Sequence, residues 1–403
     1  MNYKVDVAKN GEYTLILNDI YIYSKYNPRK DAEKFINKEY DDDAKCYFLV
    51  GLGLGYHLEA LLQMEKNKPI IVLAIDEQDI TMFKRYSKNP QMMELNNVKI
   101  ILETELKEDL NLYQIIIPFS WMKALGGNHR FYNLLEDIKI RQMSYEAFSE
   151  LLDKNFQDNL KNNDPSISEL KNVYKGKLAC LVSSGPSLDS TIELLRDVKD
   201  RCYVLAVGSA LNTLLKNNIK PDAVIIIDSQ INVVKQLKNK VYKGLLFYLS
   251  TSNHEMTLVH EGKRIIIFQE GFNPAEIEAK KTKVEVLETG GSVATTGFSL
   301  LEYMGFQSVV LFGQDFGFKG DSTHSILSTS RKNIVSEMPF RKVLANNGEY
   351  IHTTANLSTY LRWFERKANK TNVKIYNSSW TGAKINGIPY LDEIILNIIL
   401  RNL

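Results

Sequence analysis

Leu181-Val182-Ser183-Ser184-Gly185-Pro186-Ser187-Leu188-Asp189 decides the fold. An apolar run (LACLVS, 178–183) ends in two serines, a glycine turns the chain, and a helix-forming stretch opens behind a proline. That order describes a buried strand feeding a helix. Gly185 lets the backbone approach a ligand closely, Pro186 suits a helix start, and Ser184 or Ser187 can cap it. The first N–H groups of such a helix lack intrahelical partners, and its dipole favours an anion there. Two readings stay open: a phosphate cradle, or an ordinary capped strand–helix turn.

Working outward, the same grammar repeats. YVLAV (203–207), AVIII (223–227), GLLFYL (244–249), RIIIF (264–268), SVVLF (308–312) and VKIYN (373–377) are short apolar runs. Helical stretches fall near 188–198, 209–217, 292–304, 356–369 and 391–401. Strands buried on both faces and joined by helices form a mostly parallel, doubly wound sheet, with ligands at the carboxyl ends of its strands. A shorter series lies upstream: CYFLVG (46–51), IIVLAI (70–75), VKIIL (98–102) and YQIII (113–117). The expected fold is α/β. A Rossmann-like domain covers 1–130, a helical connector 131–175, and a larger doubly wound, Rossmann-type domain 176–403.

Fifty basic residues against 48 acidic ones leave a formal charge of +2. That balance gives no reason to expect a nucleic-acid partner. Cys46, Cys180 and Cys202 lack metal-ligand spacing and read as buried free thiols in a reducing compartment. The N-terminal MNYKVDVAKNGEYTL has no apolar signal core, and no stretch reaches the length of a membrane span. A cytoplasmic location is the expectation. No heptad or apolar stripe singles out an interface, so a homo-oligomer stays open.

Further loops can carry chemistry. In Thr289–Gly297, Gly290 and Gly291 precede a helix whose first turn bears Ser292, Thr295 and Thr296. Such hydroxyls suit a sugar carboxylate or a phosphate oxygen, or simply cap the helix. Gly208 and Ser209 end another strand. In Phe312–His324, Gly313, Gln314 and Asp315 follow a strand directly, where a carboxylate binds a ribose or caps a backbone turn. His324 and His352 are candidate general acids or bases, since imidazole titrates near neutrality; Asp228, just past a strand, reads as a ligand or helix-cap residue. The N-terminal Gly51-Leu52-Gly53-Leu54-Gly55 turn, with Asp76 ending the next strand, reads as a nucleotide-type turn kept for packing. An S-adenosylmethionine-dependent methyltransferase is the alternative there.

Together, SSGPSLD (183–189), AVGSALNTLLKNNIKPDAVIIIDSQ (206–230), GGSVATTG (290–297) and LFGQDFGFKGDSTHS (311–325) resemble the Maf family of motility-associated glycosyltransferases. GLGLGYHLEALL (51–62) is similar to that family's N-terminal domain. The resemblance implies a sialyltransferase-like core. It implies transfer of a nonulosonic acid, of pseudaminic or legionaminic type, from its CMP conjugate to Ser or Thr of flagellin, with no metal or further cofactor. In the similar sialyltransferases, the loops matching Ser183–Ser187 and Gly291–Thr295 hold the donor, and the loop matching Gly313–Asp315 belongs to the nucleotide pocket. Those enzymes have Asn at the position of Ser184 and another near Gly208. They have phosphate-binding tyrosines where this chain has Gly317 and Thr323-His324. The base therefore stays open among His352, His324 and Asp228. The same superfamily includes an archaeal pterin diphosphokinase, which gives a second reading; a flagellin-binding chaperone without transfer is a third.

Overall fold

The computed structural model describes residues 1–102, 105, 113–127, 129–318, 320, 323–331, 340–392 and 394–396. The chain forms two compact units, Met1–Ser144 and Tyr145–Leu403.

The first unit opens with β1 (Tyr3–Val7), β2 (Tyr13–Leu17) and β3 (Ile20–Tyr21), an antiparallel sheet in that order. Asn18 and Asp19 link β2 to β3 with φ of 48° and 63°. Two consecutive left-handed residues match the twist of a tight hairpin, and Asn and Asp tolerate that region best after glycine. Helix α1 (Pro28–Glu39) follows, with the Asn27 side chain accepting the Lys30 N–H at 3.1 Å and a proline in its first turn. Then come β4 (Tyr47–Val50), α2 (Tyr56–Met64), β5 (Ile70–Leu73), α3 (Glu77–Tyr86), β6 (Val98–Ile101), β7 (Gln114–Ile116) and α4 (Phe119–Leu125). The four strands form a parallel sheet in the order β6-β5-β4-β7. Both central strands are buried along their whole length, which is why they read as unbroken apolar runs. Helix α5 (Arg130–Leu160) carries the chain across the boundary, so residues 131–175 are divided between the two units.

The second unit contains β8 (Leu178–Val182), α6 (Leu188–Val198), β9 (Tyr203–Val207), α7 (Leu211–Lys216), β10 (Ala223–Ile226), α8 (Val234–Leu237), β11 (Leu245–Leu249) and α9 (His254–Leu258). It continues through β12 (Arg264–Ile267), α10 (Asn273–Thr282), α11 (Val293–Tyr303), β13 (Ser308–Phe312), β14 (Arg341–Leu344), β15 (Tyr350–Thr353), α12 (Ala355–Ala368) and β16 (Lys374–Asn377). All seven expected strands form one parallel sheet, in the order β12-β11-β10-β9-β8-β13-β16. From β8 the chain winds outward to β12, then returns to lay β13 on the other side of β8. The switch point is therefore between β8 and β13, where open α/β sheets place their ligands.

Helix α11 lies close on the sheet because Gly297 has no side chain: a Cβ there would stand 3.0 Å from Leu181 and 3.6 Å from Leu205 and Ile225. Strand-end carbonyls of Ser229 and Ser252 accept from the buried Asn155 and Asn159 amides of α5, at 3.0 and 2.7 Å. The antiparallel hairpin β14–β15 and the sheet of β1–β3 have no counterpart in the sequence reading. Most of the helix expected over 391–401 lies outside the described residues; 394–396 are helical. Among the described residues, no helix is long and apolar enough to cross a membrane.

Candidate functional site

The turns after β8 and β13 lock onto each other. Ser183 N–H donates to the Phe312 carbonyl and Gly185 N–H to the Gly313 carbonyl, both at 2.8 Å. Glycine is required on each side. Gly313 has φ of +61°, and a Cβ there would run into the Ser183 carbonyl. A Cβ on Gly185 would overlap the Asp315 carboxylate and stand 2.5 Å from the Gly313 oxygen. The Pro186 carbonyl accepts from Asp189 N–H at 3.3 Å, which starts α6.

Asp315 occupies the head of α6. One carboxylate oxygen accepts the Ser187 N–H at 3.0 Å, and the other takes a short hydrogen bond from the Ser379 hydroxyl. The anion favoured at this helix terminus is thus supplied by the protein itself. Asp315 is only 5% exposed, and burial pushes its pKa up. The Ser379 and Ser187 donors oppose that rise, while Asp189 adds to it. The Ser187 hydroxyl, on the residue whose N–H this carboxylate accepts, and the Asn377 side-chain NH2 are buried with no hydrogen-bond partner among the described residues. Buried donors without partners call for a water or a ligand atom.

Hydroxyls and an amide surround the turn. Ser184 and Ser209 Oγ atoms lie 2.7 Å apart. Ser183 Oγ donates to Gln314 Oε1 at 2.7 Å, which turns the Gln314 NH2 to other acceptors. Gly208 is packed too tightly for a side chain, since a Cβ would meet Gln236 and Ile226. The segment 323–331 lies over these turns. Ser325 N–H donates to the Ser184 carbonyl at 2.8 Å, Ile326 N–H to Asp189 at 2.8 Å, and Ser328 Oγ to the Ser209 carbonyl at 3.2 Å. His324 is thereby seated next to the Ser184 contact, its Nδ1 2.7 Å from Thr323 Oγ1.

The head of α11 is built differently. Ser292 Oγ accepts the Thr295 N–H at 3.2 Å, and Thr295 Oγ1 accepts the Ser292 N–H at 3.1 Å, a reciprocal capping box. Both hydroxyls are thus spent on the helix itself. Gly290 lies against Trp363, whose Nε1–H donates to Glu288 at 2.9 Å, and Gly291 (φ +86°) faces Tyr360. The Tyr360 phenol is pushed up by burial and then by the nearby Asp228 carboxylate. Asp228 itself is exposed and accepts the Gln230 N–H at 2.9 Å. His352 is also exposed. Its backbone pairs with Phe318, at 2.8 and 3.0 Å, and its ring stands 5.6 Å from that of Phe340.

The expected residues therefore fall into two groups. Ser183, Ser184, Gly185, Pro186, Ser187, Gly208, Ser209, Gly313, Gln314 and Asp315 gather at the switch point. Gly290, Gly291, Ser292 and Thr295 form the α11 head under Tyr360 and Trp363. Ser379, which holds Asp315, escaped the sequence reading. Its only signal is its place just past β16, the strand beside β13. Among the described residues, no three His, Cys, Asp or Glu side chains group as a metal site.

The glycine turn of the first unit is filled by its own surroundings. Asp79 accepts from the N–H groups of Leu52, Gly53 and Ile75 at 3.0, 2.8 and 3.1 Å. Tyr23 Oη accepts from Leu54 N–H at 3.1 Å, and the Trp121 indole fills the place of a Gly51 side chain. Asp76 caps α3 and accepts from Tyr3 Oη at 3.0 Å.

A solved structure, the Maf glycosyltransferase from Magnetospirillum magneticum AMB-1, matches 98% of this chain and 71% of its own, with a TM-score of 0.52 at 15% identity. The chain has the Maf glycosyltransferase fold. The resemblance read from the four loop motifs is borne out at that level. Residues 154–321 also match the family model described as 6-hydroxymethylpterin diphosphokinase MptE-like. Two uncharacterized proteins of Treponema pallidum (strain Nichols) are similar. One is 25% identical over 245 residues, 55% of this chain and 42% of its own length. The other is 22% identical over 224 residues, 50% of this chain and 75% of its own. The chain thus spans less than half the length of the first of these relatives.

Proposed function

We propose that this chain transfers a nonulosonic acid of pseudaminic or legionaminic type from its CMP conjugate to Ser or Thr hydroxyls of flagellin, in the cytoplasm. The observation that carries the proposal is the polar cluster at the β8–β13 switch point of a Maf fold. Ser184, Ser209 and the Gln314 NH2 supply donors there, beside the unpartnered Ser187 hydroxyl.

In this reading Asp315 orders the two turns, and the surrounding hydroxyls and amide meet the donor. The acceptor oxygen attacks the anomeric carbon as the bond to the CMP phosphate breaks. The acceptor proton passes to a base, and CMP departs with the bonding electrons. His324 is assigned as that base because the 323–331 segment seats it against the Ser184 loop; His352 and Asp228 are the competing assignments. Charge building on the phosphate is met by fixed donors, so no cofactor beyond the CMP-sugar is invoked. Incubating the protein with CMP-pseudaminic or CMP-legionaminic acid and flagellin, then measuring intact flagellin mass, tests this. Whole sugar increments are expected, and an unchanged mass with an active donor would overturn the proposal.

Diphosphate transfer from ATP is the second reading, favoured by the description of the family model over residues 154–321. It requires ATP and a divalent cation where the first requires CMP-sugar.

A further inference from the structure

Cys180 and Cys202 are 22 positions apart in sequence, yet their sulfurs approach to 3.2 Å. Cys180 is fully buried in the middle of β8, in register with Val204 of the adjacent strand. Cys202 immediately precedes β9 and is half-buried, with its S–H directed to the Val198 carbonyl at 3.3 Å. A disulfide bond is ~2.0 Å long, so closure asks for roughly 1.2 Å of approach, shared between two side chains. The sequence alone reads these cysteines as separate buried thiols; the fold makes them neighbours. Cys46 belongs to the other compact unit.

We infer that Cys180 and Cys202 form an oxidisable dithiol that closes to an intramolecular disulfide, with a hydroperoxide as the oxidant. The reaction starts at Cys202, the more accessible sulfur. Its hydrogen bond to Cys202 and its burial push the Cys180 thiol well up, which keeps that sulfur protonated and second in order. The Cys202 sulfur attacks the peroxide O–O bond, forming a sulfenic acid and releasing one water. The Cys180 sulfur then attacks the Cys202 sulfur. The S–S bond forms, the S–O bond breaks, and hydroxide leaves as a second water with the Cys180 proton. Two thiols give up two electrons and two protons, and one hydrogen peroxide becomes two waters. The ring so closed contains the Ser183–Ser187 turn and all of α6, so oxidation ties down the crossover that carries half of the switch-point site.

The test uses the full chain treated with excess hydrogen peroxide, alkylated under denaturing, non-reducing conditions and digested. The expected product is a linked pair of peptides containing residues 180 and 202, lighter by two hydrogens than the separate thiols, with Cys46 alkylated. The oxidised chain is also expected to melt several degrees higher, because the closed loop restricts the unfolded state. In Cys202→Ser the linkage is expected to vanish and Cys180 to remain fully alkylatable. Peroxide-treated chain whose Cys180 is alkylated while Cys202 carries a sulfinic acid would overturn the inference. A linkage between two molecules rather than within one would also overturn it.

Discussion

The two compact units each build a glycine turn at the end of a buried strand, and they use it differently. Around Gly51–Gly55, the inward N–H groups are taken by Asp79, the hydroxyl of Tyr23 accepts from Leu54, and the Trp121 indole covers Gly51. Around Gly185 and Gly313 a carboxylate also sits inside, since Asp315 holds the Ser187 N–H. Beside it, however, lie the Ser184–Ser209 hydroxyl pair, the NH2 of Gln314 and an unpartnered Ser187 hydroxyl. A glycine turn therefore announces close approach, and only the neighbours decide whether the chain or a ligand makes it.

The largest effects should come from glycine substitutions. Gly51→Ala places a methyl inside the Trp121 indole at a φ of +82° and should destabilise the first unit by about 3–5 kcal/mol. Trp121 is the one tryptophan of Met1–Ser144, so its fluorescence in a denaturant titration reads that loss. Below the unfolding midpoint, CMP affinity should be unchanged. Gly185→Ala should destabilise the second unit and, unlike Gly51→Ala, also lower CMP affinity in the folded chain. Its methyl meets Asp315 and the Gly313 carbonyl, and CMP affinity should fall by about 100-fold, roughly 2.7 kcal/mol, by calorimetry. If Gly51→Ala abolished CMP binding in folded protein, the comparison would break.

Next is Asp79. Burial is the main cause that lifts its pKa from 3.8 to about 6, against the pull of three N–H donors. The folded state therefore holds the proton more tightly than the unfolded state. This contribution is fully present below pH 3.8 and is lost as pH rises through about 6, a change of about 3 kcal/mol. Unfolding of the first unit, followed from pH 3.5 to 7, should show this fall in the parent chain and not in Asp79→Asn. An identical slope in both would place the proton elsewhere.

Smaller changes sharpen the other side. Ser184→Ala removes one hydroxyl of the pair and should weaken CMP binding about tenfold, with an unchanged melting temperature. Ser379→Ala removes one of the donors on Asp315 and should cost about 1 kcal/mol of stability in the second unit. Equal melting curves would show that Ser379 adds nothing to the turn.

The seven-strand sheet and its switch-point turn were legible because strands buried on both faces are written as unbroken apolar runs. The strands β1 and β2, YKVDV and YTLIL, mix polar and apolar residues over five positions, too short a stretch to separate from loop. The hairpin β14–β15, with RKVL facing YIHT, was missed for the same reason. Ser379 reaches Asp315 from 64 residues away, and Asp79 reaches Gly53 from 26, so neither contact is written in a local motif. Ser292 and Thr295 were read both as ligand donors and as a cap; the fold commits their hydroxyls to the cap.

The most direct test of the central claim is calorimetric titration of the full chain with CMP, with EDTA and then with Mg²⁺, alongside ATP. The account predicts saturable CMP binding that chelation leaves unchanged, Gly185→Ala weakens about 100-fold and Gly51→Ala retains. Absence of CMP binding, together with ATP binding that appears only with Mg²⁺, would contradict it and make diphosphate transfer the better reading of the switch-point site.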